Sequence, residues 1–172
     1  FKVEEDKNIY DISPRRIYTD LELEDELSGF LFDENGSLIG ISTGKEQDTG
    51  RISAVAFYDI YDIVYKMLNK VEVGYIGIQG QYVDYNVKKY IGDDIPDGFF
   101  VLGLDSTGNA YQAGIMKGDV IISADGASVN HMSDLTSVLL KKSPGESLQI
   151  VLERKMGQNY EEMSVDVVVG VR

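Results

Sequence analysis

Side chains that commonly do chemistry are scarce in this chain, which carries one histidine, His131, and no cysteine. Without cysteine there is no thiolate nucleophile, no thiolate metal site and no disulfide. Serine hydrolysis asks for a hydroxyl, a base within hydrogen-bond reach and donors aimed at the oxyanion. His131 is the one imidazole available as a base, and it stands just before a helical stretch, where a helix-entry histidine is the simpler reading. Acids are abundant but poorly spaced. Glu22, Glu24, Asp25 and Glu26 lack the D-x-D-x-D-G pattern and the distal Glu of a calcium loop, so they read as a solvated acidic loop. Asp93, Asp94 and Asp97 fall in a polar insertion. No phosphate loop or dinucleotide fingerprint is present, and neither metal nor cofactor is expected. What remains is backbone chemistry. The run VGYIGIQGQYV is interrupted by Gly74, Gly77 and Gly80, and each glycine lets the chain turn sharply or lets another backbone come close.

Charge narrows the partners. Sixteen Lys and Arg stand against 29 Asp and Glu, a net charge of −13. Phosphate backbones call for clustered cations, and the basic pairs are only Arg15-Arg16, Lys88-Lys89 and Lys141-Lys142. Nucleic acid and anionic membrane surfaces are therefore disfavoured. No apolar run approaches the ~20 residues of a membrane span. A length of 172 residues with 43% hydrophobic content allows one large or two small globular domains. The chain starts with Phe1 and carries no signal segment, so it reads as a fragment whose targeting information lies upstream.

The elements follow from pattern. Residues 1–20 are weakly patterned, with short strands near Ile9-Tyr10 and Ile17-Tyr18. Asn35-Gly36 between apolar runs predicts a hairpin with strands at 28–33 and 37–42 and a type I′ turn, in which both central residues need positive φ. Ile52–Phe57 reads as a buried strand. From 58 to 70 the period becomes helical, placing Phe57, Ile60, Tyr61, Val64, Met67 and Leu68 on one apolar face. A domain boundary is expected near Val73-Gly74. Further on, strands are predicted at 97–105 and 120–124. Asn109 is the expected cap of a short helix closed by Gly114 in the left-handed conformation. Ser133 is the expected cap of a second helix, with Leu135, Val138 and Leu139 on its apolar face and Lys141-Lys142 at its carboxyl end. Two alternating strands, SLQIVLER and MSVDVVV, complete the chain.

The string AYQAGIMKGDVIISADGASV, Ala110–Val129, resembles the centre of a PDZ domain, and the resemblance covers about 72–172. Tyr75, Ile76, Gly77 and Ile78 resemble the carboxylate-binding loop of the PDZ subtype found in HtrA (Do-like) serine proteases. That resemblance implies that successive N–H groups around Gly77 form a nest for a peptide's terminal carboxylate. The following strand, including Gln79 and Gly80, would offer an edge for strand addition. Leu135, Val138 and Leu139 would line the pocket for the peptide's last residue. The fold class expected is mixed and mostly β: residues 1–71 as the C-terminal portion of a trypsin-like barrel, and residues 72–172 as an α+β PDZ domain.

Upstream, Thr19-Asp20 leads to Ser28-Gly29 by the spacing at which the HtrA family places its catalytic serine. The family surrounds that serine with Gly-x-Ser-Gly-Gly-Pro, whereas this chain reads Glu26-Leu27-Ser28-Gly29-Phe30-Leu31. Glu26 replaces the glycine that supplies an oxyanion donor, and a carboxylate there opposes developing negative charge. In the family, the His and Asp come from a first barrel, which would precede residue 1. The expectation is thus a peptide-binding module attached to a degenerate protease segment. The alternative is a piece of an active endopeptidase with Ser28 as nucleophile. The resemblance further implies C-terminal peptides or unfolded segments as partners and a role in protein quality control. It also implies an extracytoplasmic location with an upstream membrane tether, no direct membrane contact from this segment, and room for a homo-oligomer.

Overall fold

The computed structural model describes residues 2–4, 9–10, 16–20, 29–45, 50–130 and 132–171. Its contacts divide the chain into two units, Phe1–Asp6 with Pro14–Val71 and Lys7–Ser13 with Glu72–Arg172.

The first unit holds β1 (Lys2–Glu4), β3 (Arg16–Thr19), β4 (Phe30–Phe32), β5 (Leu38–Lys45), β6 (Ile52–Ala56) and helix α1 (Phe57–Leu68). Its sheet runs β1-β3-β6-β5-β4, every described pairing antiparallel. Among the described residues its core cluster is Ile17, Ala54 and Ala56, with Leu31 packed against them. The hairpin at Asn35-Gly36 forms, but its turn is not type I′. Asp33 accepts the N–H of Gly36 at 3.0 Å, its own N–H bonds Ser37, and only Gly36 takes a positive φ, +82°. The Asp33 carboxylate explains the choice, since it accepts the N–H groups of Asn35 and Ser37 and favours a longer loop. Helix α1 forms over the expected stretch, but its apolar face is largely uncovered. Tyr61, Val64, Met67 and Leu68 are exposed, with Leu68 at 79%, so most of the apolar stripe faces outward.

In chain order the second unit holds β2 (Ile9–Tyr10), β7 (Gly74–Tyr75), β8 (Ile78–Tyr82), α2 (Tyr85–Ile91), β9 (Phe99–Leu104), α3 (Asn109–Gln112), β10 (Val120–Ala124), β11 (Ala127–Ser128), α4 (Met132–Leu139), β12 (Ser147–Met156), β13 (Asn159–Val168) and β14 (Gly170–Val171). The main sheet is ordered β13-β12-β10-β9-β8-β2, with β11 paired to β10; β14 pairs β7 separately. Its core is broad, including Ile76, Ile78, Phe99, Val101, Ile121, Leu135, Leu139, Leu148, Ile150 and Leu152. On β12 the inward residues are Leu148, Ile150 and Leu152; Val151, on the opposite parity, is only half-buried. Each large aliphatic side chain so buried is worth about 1.5–3 kcal/mol.

A type I′ turn does exist, at Asp125-Gly126. Both residues have positive φ, +48° and +76°, and they link the paired Ala124 and Ala127. Just before the polar insertion at Asp93–Asp97 stands α2, not expected from the sequence and capped by Asp84, whose carboxylate accepts the Val87 N–H at 2.9 Å. Two helix starts shift. Asn109 lies inside α3 and spends its side chain on the Val168 carbonyl at 2.6 Å. Helix α4 begins at Met132, so Ser133 lies within it, and Asp134 reaches back to the Asn130 N–H at 2.9 Å. The Lys142 ammonium bonds Asp125 and the Ser147 carbonyl, while its backbone N–H donates to the Leu139 carbonyl at the end of α4.

Candidate peptide-binding site

The segment Tyr75–Gly80 joins two short strands across one left-handed residue. Ile76 and Ile78 are buried in the main core, and Gly77 between them has φ +86°. Only a residue without Cβ sits there easily, both for that torsion and because an added Cβ would lie 3.2 Å from the Asp105 Cβ and the Gly108 Cα. The turn that crowds Gly77 also holds it. The Ile76 carbonyl accepts the Ala110 N–H and the Gly77 carbonyl accepts the Asp105 N–H, each at 2.9 Å. Peptide units are trans, so a carbonyl and the next N–H point in opposite directions. The N–H groups of Gly77 and Ile78 are thereby aimed away from the 105–110 turn.

That turn is itself a built structure. The Asp105 carboxylate accepts the Thr107 N–H at 2.9 Å and its hydroxyl at 2.8 Å. The Tyr75 hydroxyl adds a third bond, and these interactions, Thr107 foremost, hold Asp105 below the usual carboxylate range. The Asp-Ser-Thr-Gly run at 105–108 is an Asx-turn signature that could have revealed this support in the sequence.

Beyond Gly77, β8 pairs β9 from Ile78↔Leu104 to Tyr82↔Phe99, with a bulge between Gln79 and Gly80. Gly80 is required by close approach, since a Cβ there would overlap the Phe100 carbonyl and the Phe99 ring. The other edge of β8 carries β2, antiparallel, with Ile9↔Gly80 and Tyr10↔Gln79.

Of the helix residues expected to line a pocket, Leu135 and Leu139 are fully buried in the core that also holds Ile76 and Ile78, while Val138 is half-buried against it. Tyr75, Gln79, Gly80 and Val138 thus lie in one unit with the Gly77 loop. Ser28, the acidic run before it and His131 lie outside the described residues.

A second constellation stabilises the same unit. Asp119, 1% exposed, receives Arg154 through two bonds of 2.7 and 2.8 Å and accepts the Met116 N–H at 2.7 Å. Arg154 also donates to the Gly114 carbonyl at 2.7 Å. This pair closes the Gly118-Asp119 turn into β10. Among the described residues, no group of three or more His, Asp and Glu is arranged to hold a metal.

Comparison with known proteins agrees with this geometry. A family model described as PDZ domain matches residues 74–168. A probable periplasmic serine endoprotease, DegP-like, of Halomonas elongata is 28% identical over 169 residues, covering 91% of this chain and 35% of that protein. A protein of the same description from Bartonella henselae is 31% identical over 128 residues, covering 71% of this chain and 25% of its own length. The chain therefore spans about a third or less of these relatives. Among solved structures, the HtrA-type protease AlgW with decapeptide superposes with a TM-score of 0.64 at 22% identity, covering 92% of this chain and 50% of that one. The fold of this chain is thus that of the corresponding part of an HtrA-type protease, and the chain belongs to the PDZ-domain family.

Proposed function

We propose that the second unit captures the carboxyl termini of polypeptides, or unfolded segments that present one. The ligand adds as a strand along β8, its terminal carboxylate received by the N–H groups of Gly77 and Ile78. The observation that carries this reading is the inward use of the Ile76 and Gly77 carbonyls, which turns the N–H groups of Gly77 and Ile78 away from the 105–110 turn at the head of β8. AlgW, whose fold this chain shares, was solved with a decapeptide, which supports the same mode. Leu135, Val138 and Leu139 shape the apolar wall for the last side chain. A net charge of −13 favours ligands with basic residues upstream of the terminus. Isothermal titration of paired peptides, free carboxylate against amide, tests it. Free-carboxylate peptides should bind and their amides should not; a folded chain that binds none of them overturns the reading.

A second reading is favoured by the match of 91% of this chain to a relative named a serine endoprotease. In the longer protein Ser28 would be the nucleophile, with a His and an Asp supplied upstream. Reaction with a fluorophosphonate probe, lost on Ser28→Ala, would support it, and an unreactive Ser28 in the longer protein would refute it. The relatives' description as periplasmic supports an extracytoplasmic location for this chain. An upstream membrane tether and a homo-oligomer belong to the same proposal.

A further inference from the structure

The edge of β8 that a peptide would join carries a strand of the protein's own. Ile9–Tyr10 pairs there, and β2 is the last strand on that side of the sheet. Its register fixes its direction. Ile9 lies opposite Gly80 and Tyr10 opposite Gln79, so the segment runs towards the Gly77 loop. A carboxyl-terminal ligand must run the same way to deliver its last residue to that loop. The segment and the ligand therefore ask for the same face of the same residues in the same orientation, and both cannot be seated.

We propose that Ile9–Tyr10 is a built-in competitor for the peptide-binding edge, so that a carboxyl-terminal peptide binds only by displacing it. The inference rests on the peptide reading above. Its described length suits a displaceable occupant, because the two described residues of strand supply only a few ladder hydrogen bonds, each of modest net worth. The segment is also internal to the chain, so its backbone brings no terminal carboxylate, and the ligand keeps that contact as its advantage. Because the segment is part of the same chain, it competes at an effective concentration that does not fall on dilution, which sets a threshold on ligand affinity rather than a permanent block. An occupied edge further protects β8 from pairing with other chains.

The test uses the full chain and two variants. One is Ile9→Pro with Tyr10→Pro, which removes both N–H donors from the strand. The other replaces residues 7–13 by a Gly/Ser run of equal length, which guards against a fault peculiar to proline. Amide hydrogen exchange at Ile78 and Gly80, whose N–H groups face the β2 side of β8, and titration with one free-carboxylate peptide are read on all three. Both variants should exchange faster at those amides and bind the peptide about ten-fold more tightly, the scale of one or two net hydrogen bonds. Exchange unchanged in both variants overturns the pairing. Faster exchange with unaltered peptide affinity overturns the competition. No peptide binding by any of the three chains defeats the peptide reading itself and the competition with it, while the exchange comparison still reports whether β2 holds the edge.

Discussion

The two units bury their apolar surface very differently. The second encloses a broad core in which Phe99, Ile121, Leu135, Leu148 and Leu152 are all at 0% exposure. In the first, the core cluster among the described residues is Ile17, Ala54 and Ala56, while Tyr58, Tyr61, Val64, Tyr65, Met67 and Leu68 of α1 are exposed. The contrast separates two uses of hydrophobic residues. In the second unit they hold the Gly77 loop in a fixed place, which the proposed carboxylate nest requires, because a loose array of N–H groups loses its advantage to water. In the first they stand largely on a surface, where they contribute little to the stability of this chain.

The largest expected break in that contrast is Asp119→Ala. It leaves the Arg154 guanidinium without its carboxylate beside a core turn, and should destabilise the second unit by about 3–5 kcal/mol while sparing the first. Urea unfolding followed by residue-resolved hydrogen exchange would separate the two. Gly80→Ala should come next, at about 1–3 kcal/mol, because the added methyl overlaps β9. The same change should distort the edge and weaken peptide binding, read by titration. Gly77→Ala should cost about 1–3 kcal/mol through its left-handed torsion, with peptide affinity falling more than stability does.

Acid acts on the same loop. Asp105 has a folded pKa below its ordinary 3.8, because Thr107 and Tyr75 bond the ionised form. The folded state then holds fewer protons than the unfolded one near that pH, so this contribution is complete above about pH 4 and is lost as pH falls through the lowered pKa. Peptide affinity and the protection of Gly77 should decline together in that window, and Asp105→Asn should flatten the dependence. The smallest effect is expected from Leu68→Ser with Tyr61→Ser on α1. Thermal stability should move by less than about 0.5 kcal/mol, whereas self-association in sedimentation should drop.

Much of this was legible in the residues. The run Ala110–Val129 declared the PDZ order, and Gly114, Gly118 and Gly126 all take the positive φ that their turns demand. The strand at Ile9-Tyr10 was also legible, but not its partner. Pairing with residues some seventy positions away is a tertiary fact that a two-residue apolar run cannot encode. Helix α2 is bracketed by Asp84 as cap and Gly92 as stop, but with Val87 its one buried residue it carries too little apolar periodicity to read as a helix. At Asn35-Gly36 the local signal was right about the hairpin and wrong about the turn, since Asp33 offered two extra hydrogen bonds. On α1 the period was right, yet periodicity states which residues share a face and not what covers it.

The central claim is that a chain end is received at Gly77 and Ile78. Its most direct test is to map amide chemical shifts of the full chain on adding one peptide in two forms, free carboxylate and carboxamide, at equal saturating concentration. Shifts concentrated on Tyr75–Tyr82 and appearing only with the carboxylate form are the predicted result. Identical responses to both forms, or a response confined to residues outside that stretch, would contradict it.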